Sequence, residues 1–264
     1  FFIALSKGEM MSFASDFFYE VRRRIPAIRR DAFKEKAFSG DFLVEGLPVA
    51  LTKELSLRSL KLNAFYLWVL EQIDIPPQEI RLLDLGSKDF MYAPALAAWA
   101  LRRSARHSKR VSIQALELDP YQIYADFFKR GDAAQFFVNV CHRHFPSRLD
   151  ISYSQGDWLT WHPETRPTII TSFFPYLFES LHRGVGLPRY AFDPERYYQK
   201  ILATTERYAV FFHQGSEEAR ASKKMMMELE MGRLVQEFKV HENAFLERKH
   251  PVHVFVIEKL LRES

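Results

Sequence analysis

The stretch RLLDLGSKDFMYAPALAAWA, Arg81–Ala100, decides how this chain is read. Leu82, Leu83 and Leu85 make a short apolar run of the kind that forms a strand buried on both faces. Gly86 follows as a turn residue, free to take a positive φ. The alanine-rich sequence after Met91 then predicts a helix. Such a junction aims the amino end of the helix at whatever lies beyond the carboxyl end of the strand, and its backbone N–H groups favour anionic and polar ligands there. A single glycine is weak evidence taken alone, because strand–glycine–helix junctions are common.

The sequence downstream keeps alternating. VSIQALEL (111–118) reads as a second strand. Asp119 as a cap, Pro120 at the first helical position and Gly131 as a stop predict a helix between them. QFFVNVCHRHF reads as another helix, LDISYSQGD as the third strand, and PTIITSFF, bounded by Pro167 and Pro175, as the fourth. Asp193 and Pro194 open a helix, RYAVFFHQG is the fifth strand, and Ser216 caps a helix with Glu217 and Glu218 in its first turn. GRLVQEFKV and HPVHVFVIEKL leave no room for a crossover helix between them, so they read as an antiparallel pair. The fold class is therefore α/β: five βα steps and a closing hairpin, giving a doubly wound, mostly parallel seven-stranded sheet. Ligands of such sheets bind at the carboxyl ends of the strands. Upstream, SDFFYEVRRRIPAIRRDAFKEKAF reads as a helix broken or kinked near Pro26, and LTKELSLRSLKLNAFYLWVLEQI as a longer amphipathic helix that the DIPP of 74–77 ends. The expected organisation is an N-terminal helical extension over 1–54 and the sheet domain over 55–264.

Bulk properties set outer bounds. A chain of 264 residues with 47% hydrophobic content supports one large domain or a domain with a helical appendage, and excludes disorder. Its 24 phenylalanines suit an aromatic core or an aromatic-lined pocket. A net charge of +4 is compatible with an anionic partner without demanding one. Cys141 is the single cysteine, so no intramolecular disulfide and no cysteine-built zinc site exists, and a reducing, cytoplasmic location fits. No apolar run approaches the ~18–20 residues of a membrane span. Phe1–Leu5 is too short for the core of a signal peptide and has no basic flank; without an initiator methionine the chain reads as trimmed, processed or numbered from an internal residue. Arg22, Arg23, Arg24, Arg29 and Arg30 read either as a phosphate-binding patch for nucleic acid or as a solvated helix face paired with Asp16, Glu20 and Asp31. Met225–Met227 reads as core or helix filler.

The chemistry-bearing residues fall at strand ends. Asp84 and Gly86 follow the first strand. Glu117 ends the second, where a carboxylate can accept from both hydroxyls of a ribose. Asp157 follows the third, placed to take an exocyclic amine, with Trp158 beside it to lie against a base. FFPY, Phe173–Tyr176, follows the fourth. His162, His182 and His213 are candidate bases by residue type only, and His241, His250 and His253 show no metal-ligand spacing, so no metal is expected.

Taken in order, Asp84 and Gly86, Glu117, Asp157, FFPY and the closing hairpin resemble the class I S-adenosylmethionine-dependent methyltransferase superfamily, over roughly residues 55–260. The resemblance implies a Rossmann-like sheet and S-adenosylmethionine as cofactor. Carried onto this chain, the loop of Asp84, Gly86, Ser87 and Lys88 would hold the methionine part, Glu117 the ribose, and Asp157 with Trp158 the adenine. Phe174, Pro175 and Tyr176 would lie over the methyl acceptor. Two departures stand out. The later glycines of the family's first loop are Lys88 and Phe90 here, and the position that holds an amine in base-methylating enzymes is Phe173, which cannot accept its hydrogen bonds. Two readings stay open: an active cofactor loop with unusual side chains, or a catalytically silent binding module whose Lys88 or Phe90 fills the cofactor's space. A nicotinamide oxidoreductase is disfavoured by the missing Gly-x-Gly-x-x-Gly. The insert LFESLHRGVGLPRYAFDPERYY and the N-terminal helices are expected to cover the strand ends, which favours a small-molecule substrate over a polymer.

Overall fold

The computed structural model describes residues 7–104, 110–230, 232–242 and 247–260. The opening Phe1–Leu5, much of the basic insert RRSARHSKR and the tip of the closing hairpin lie outside the described residues. The strands are β1 (Arg81–Leu85), β2 (Val111–Glu117), β3 (Leu149–Gln155), β4 (Ile169–Phe173), β5 (Tyr208–Gln214), β6 (Gly232–Glu242) and β7 (Glu247–Lys259). They form one seven-stranded sheet in the order β3-β2-β1-β4-β5-β7-β6. β1 to β5 run parallel, whereas β7 pairs antiparallel with both β5 and β6. The chain winds outward from β1 to β3, returns to β4 on the other side of β1, and winds outward again. The reversal between β1 and β4 opens a crevice at their carboxyl ends.

Both faces of the sheet are covered. α3 (Leu57–Glu71), α4 (Ala93–Arg103) and α5 (Arg130–His144) bury Phe65, Leu70, Trp99 and Phe137 on one side. α7 (Pro194–Thr204) and α8 (Ser216–Leu229) bury Tyr198, Ile201 and Met226 on the other, against Phe211 and Leu83. Each of these side chains is at most 7% exposed, so each contributes about 2 kcal/mol of apolar burial. The remaining helices are α1 (Lys7–Arg24), the single turn α2 (Val49–Thr52) and the short α6 (Glu179–Gly184), which precedes a 3-10 turn at Arg189–Ala191.

Several local expectations change. Asp119 caps no helix, and the chain from 119 to 129 is a loop folded back on itself. Ile123 bridges Lys129, the Tyr124 amide donates to Phe128 O at 2.8 Å, and the Gly131 amide donates to Pro120 O at 2.9 Å. Asp119 spends its carboxylate on Arg22 of α1 at 2.9 Å, so tertiary pairing displaces the local cap, and Gly131 sits in the first turn of α5 instead of after a helix. The segment after Pro26 is irregular, and the helix expected over 51–73 is interrupted before Ser56, which caps α3 by accepting from the Ser59 amide. Glu35, in the irregular segment, accepts from the Ser56 amide at 2.9 Å and from the Ser59 hydroxyl at 2.6 Å, which ties that segment to α3. No helix fills the connection from β3 to β4. Gly215, at φ 87°, holds the N-cap position expected for Ser216.

Candidate functional site

The loop after β1 is built by its backbone. Gly86 has φ 71°, Lys88 52° and Phe90 51°, so three alternate positions take the left-handed conformation. The two without glycine carry strain of about 1–2 kcal/mol each. The loop is held from both sides. The Gly86 amide donates to Leu116 O at 2.9 Å, and the Lys88 amide donates to Glu117 Oε2 at 2.7 Å. Tyr153 of β3 donates its hydroxyl to Lys88 O at 2.8 Å. The helix that follows has no cap of its own. Asn63, fully buried on α3, does that work: its Oδ1 accepts from the Ala95 amide and its Nδ2 donates to Met91 O, both at 2.9 Å.

A cleft enclosing about 930 Å³, counted to its open mouth, lies over the carboxyl ends of β1 to β4. Gly86 and Lys88 line it from the first loop, Glu117 from the end of β2, and Asp157 with Trp158 from the loop after β3. Phe174, Pro175 and Tyr176 line it from the loop after β4. Eight of the sequence-predicted site residues therefore share one wall system. Asp84 and Ser87 do not join them. Asp84 is fully buried, accepts from Thr171 Oγ1 at 2.6 Å and Tyr92 Oη at 2.7 Å, and has its carboxyl raised to about 6 by that burial. Ser87 is fully buried and donates to Asp84 O at 3.0 Å. Both brace the loop from beneath.

Phe90 also stays out of the cleft. It is fully buried, with its ring 5.6 Å from that of Tyr92 and 6.4 Å from that of Tyr153. A Cβ on Gly86 would meet nothing nearer than Phe173 O at 4.0 Å, so the space above the loop is open. Phe173 turns its own ring inward and stacks on Phe212 at 4.0 Å. The crowding that a silent fold would require at Phe90 is not present.

Glu117 is more occupied than the sequence indicated. Besides the Lys88 amide, its carboxylate accepts from the Asp119 amide at 2.9 Å and from Arg130 at 3.2 Å. Roughly four acceptor positions exist on a carboxylate, so about one is left for a ligand. Arg130 lines the cleft and was missed in the sequence, because the helix it opens was expected to begin further along. Asp157 accepts from the Leu159 amide at 2.9 Å through Oδ1. Trp158 is 5% exposed and has Lys200 over its ring at 4.8 Å.

The far wall comes from the insert after β4. His182 of α6, Val185, Leu187 and Phe192 face the cleft. His182 is 4% exposed, and burial lowers its imidazole to about 4, so it is neutral at ordinary pH. Tyr176, beside it, is pushed up to about 12 by burial. His162 is exposed and away from the cleft wall, and His213 lies buried in the sheet with its imidazole lowered to about 3. α1 pins the insert to the loop after β2. Tyr19 donates to Leu118 O at 3.1 Å, Arg22 reaches both Asp119 at 2.9 Å and Gly186 O at 2.8 Å, and the Arg189 amide donates to Asp16 at 2.7 Å. Arg23 and Arg24 pair with Glu20, and Arg29 pairs with Asp31, as a solvated face does.

The seven-stranded, mostly parallel sheet and its closing antiparallel hairpin are those the family resemblance implies. The fold is methyltransferase-like. No family model matches the sequence, and no curated protein does. Among solved structures, the chain is similar to magnesium protoporphyrin IX methyltransferase from Synechocystis PCC 6803 with bound SAM. The TM-score is 0.47 at 9% identity, over 98% of this chain and 100% of that one. It is also similar to a putative RNA methyltransferase from Pyrococcus horikoshii, with a TM-score of 0.47 at 14% identity over 86% of this chain and 95% of that one. A third is a SAM-dependent methyltransferase from Aquifex aeolicus, with a TM-score of 0.46 at 12% identity over 74% and 89%. Among the described residues no helix is long and apolar enough to cross a membrane, and no cluster of His, Cys, Asp and Glu could hold a metal ion.

Proposed function

We propose that the chain is an S-adenosylmethionine-dependent methyltransferase acting on a small molecule. The observation that carries this reading is the open cleft between Gly86 and Glu117, with Phe90 folded away beneath it. In this reading the backbone of Gly86, with the Lys88 side chain, receives the methionine part. Glu117 offers its remaining acceptor position to a ribose hydroxyl. Asp157 takes the adenine amine while Trp158 supplies an apolar wall. Bound there, the cofactor would supply an electrophilic methyl group on a sulfonium. The chain's own contribution is then to align an acceptor and exclude water, which alone accounts for large rate factors. Phe174, Pro175 and Tyr176 face the acceptor. Coverage by α1 and α6 favours a small molecule over a polymer, with residues 1–54 acting as a cover on the catalytic domain.

Isothermal titration with S-adenosylhomocysteine and S-adenosylmethionine tests the reading. Micromolar binding of both is expected, weakened at least about tenfold in Glu117→Ala, which removes a buried, charge-assisted acceptor. No heat from either ligand at millimolar concentration would rule the proposal out.

A further inference from the structure

His182 is the least accounted-for polar group of the cleft. Its Nδ1 is buried with no hydrogen-bond partner, and among the described residues no hydrogen bond is made by Nε2 either. Its ring stands edge-on to Tyr176 at 6.0 Å and tilted against Phe192 at 5.2 Å. On the insert side of the cleft, Phe174, Pro175, Val185, Leu187 and Ala191 are apolar and Asp193 is the charged lining residue, whereas Lys88, Glu117, Arg130 and Asp157 line the cleft from the other loops. The cations of the insert are turned elsewhere: Arg183 pairs with Glu179, and Arg189 lies 3.8 Å from the same carboxylate. An unpaired charge brought into such a wall pays its desolvation without compensation. A flat ring, by contrast, meets aromatic edges and faces at favourable spacing.

We propose that the part of the cleft beneath α6 is an acceptor subsite for a small uncharged aromatic ring carrying one hydroxyl, which donates its hydrogen bond to His182. The assignment rests on the cleft being the methyl-transfer site proposed above. A buried imidazole held neutral is a ready acceptor, and a polar group left unpaired at a wall discriminates strongly against ligands that cannot satisfy it. No cation of the insert lines the cleft, and the Asp193 carboxylate there disfavours carboxylated or phosphorylated rings.

The test uses 2-naphthol, its methyl ether 2-methoxynaphthalene, and 2-naphthoate as probes, titrated calorimetrically into the full chain. 2-Naphthol is expected to bind at least about tenfold more tightly than the ether, the worth of one satisfied buried acceptor. In His182→Phe, which keeps a ring against Tyr176 and Phe192, that ratio should fall to near unity while the ether still binds. Independently of any variant, the NMR signals of the His182 ring nitrogens should shift far more on adding 2-naphthol, which forms a hydrogen bond, than on adding the ether, which only packs beside the ring. Equal affinity for the alcohol and the ether, an intact preference in His182→Phe, tighter binding of 2-naphthoate, an unmoved imidazole signal, or no binding of any probe each overturns the assignment. A parallel titration with S-adenosylhomocysteine separates the failures. Loss of that binding with 2-naphthol binding intact would strike the function proposed above, whereas the reverse would strike only the subsite.

Discussion

Lys88 and Phe90 share a backbone conformation, at φ 52° and 51°, but Lys88 is an exposed residue at the cleft wall whereas the ring of Phe90 is buried in the core. Their substitution by glycine should therefore separate. Phe90→Gly relieves left-handed strain of about 1–2 kcal/mol. It also removes a fully buried ring, which costs about 3–5 kcal/mol. A net loss of about 1–4 kcal/mol is expected from the difference. Lys88→Gly relieves the same strain and empties no core volume, so its stability should lie within about 1 kcal/mol of the parent, with glycine's added unfolded-chain entropy setting that limit. Urea midpoints of the two single variants check this, and similar midpoints would show that Phe90 is not a core residue. The acids were legible from sequence because a carboxylate after a buried strand has a position that the strand itself defines. The left-handed phenylalanine was not, since residue type gives no sign that Tyr92 and Tyr153 wait to receive its ring.

Elements far apart in the chain hold the site together. α3 supplies Asn63 as the missing cap of α4, where Pro94 has no amide to offer and the Tyr92 side chain makes no cap bond. Asn63→Ala orphans the fully buried Ala95 amide and the part-buried Met91 O, a loss on the order of 3 kcal/mol. Asn63→Asp would restore only the acceptor, and should recover part of that loss in thermal unfolding. α1 acts at the other end. Arg22 joins Asp119, which is 1% exposed, to Gly186 O in the insert. Arg22→Ala is expected to raise hydrogen exchange in α1 and in residues 182–191 together, because one side chain bridges them. Faster exchange confined to α1 would mean that the insert stands unaided. The strands were readable because each is a short apolar run between turn signals. The helix expected between the cap Asp119 and the stop Gly131 failed because Asp119 and Pro120 carry a cap's local signature, while the partner that claims the Asp119 carboxylate, Arg22, lies outside the window in which caps are recognised. Contacts at such separation are visible only once the chain has folded.

At the scale of the whole molecule, two buried titratable groups set opposing responses to acid. Asp84 is raised to about 6 by burial against an ordinary value of 3.8, so the folded chain holds its proton more tightly than the unfolded chain. Its contribution is present at low pH and is lost as pH rises through about 6. His213 is fully buried, with both ring nitrogens unpartnered, and lies between Phe211 and Phe255 with His253 as its charged-state neighbour on β7. Its imidazole is lowered to about 3 from 6.5, so the unfolded chain binds a proton that the folded chain refuses. That contribution is intact above about 6.5 and drains away as pH falls toward 3. Across the shared interval the two slopes oppose each other, and the parent's pH dependence conceals both. Each single variant should remove its own slope, with His182, lowered to about 4 by burial, adding to that of His213. Asp84→Asn, whose amide can still accept from Thr171 and donate to Tyr92, leaves His213 unopposed, so its stability should fall faster with acid than the parent's. His213→Leu suits the apolar surroundings and removes the protonation penalty. It should unfold at higher urea than the parent, by a margin that widens as the pH is lowered. Denaturation midpoints taken at intervals between about pH 4 and pH 7 resolve the two curves, since both ordinary values border that range. Variant curves running parallel to the parent's would mean that neither group changes its proton affinity on folding.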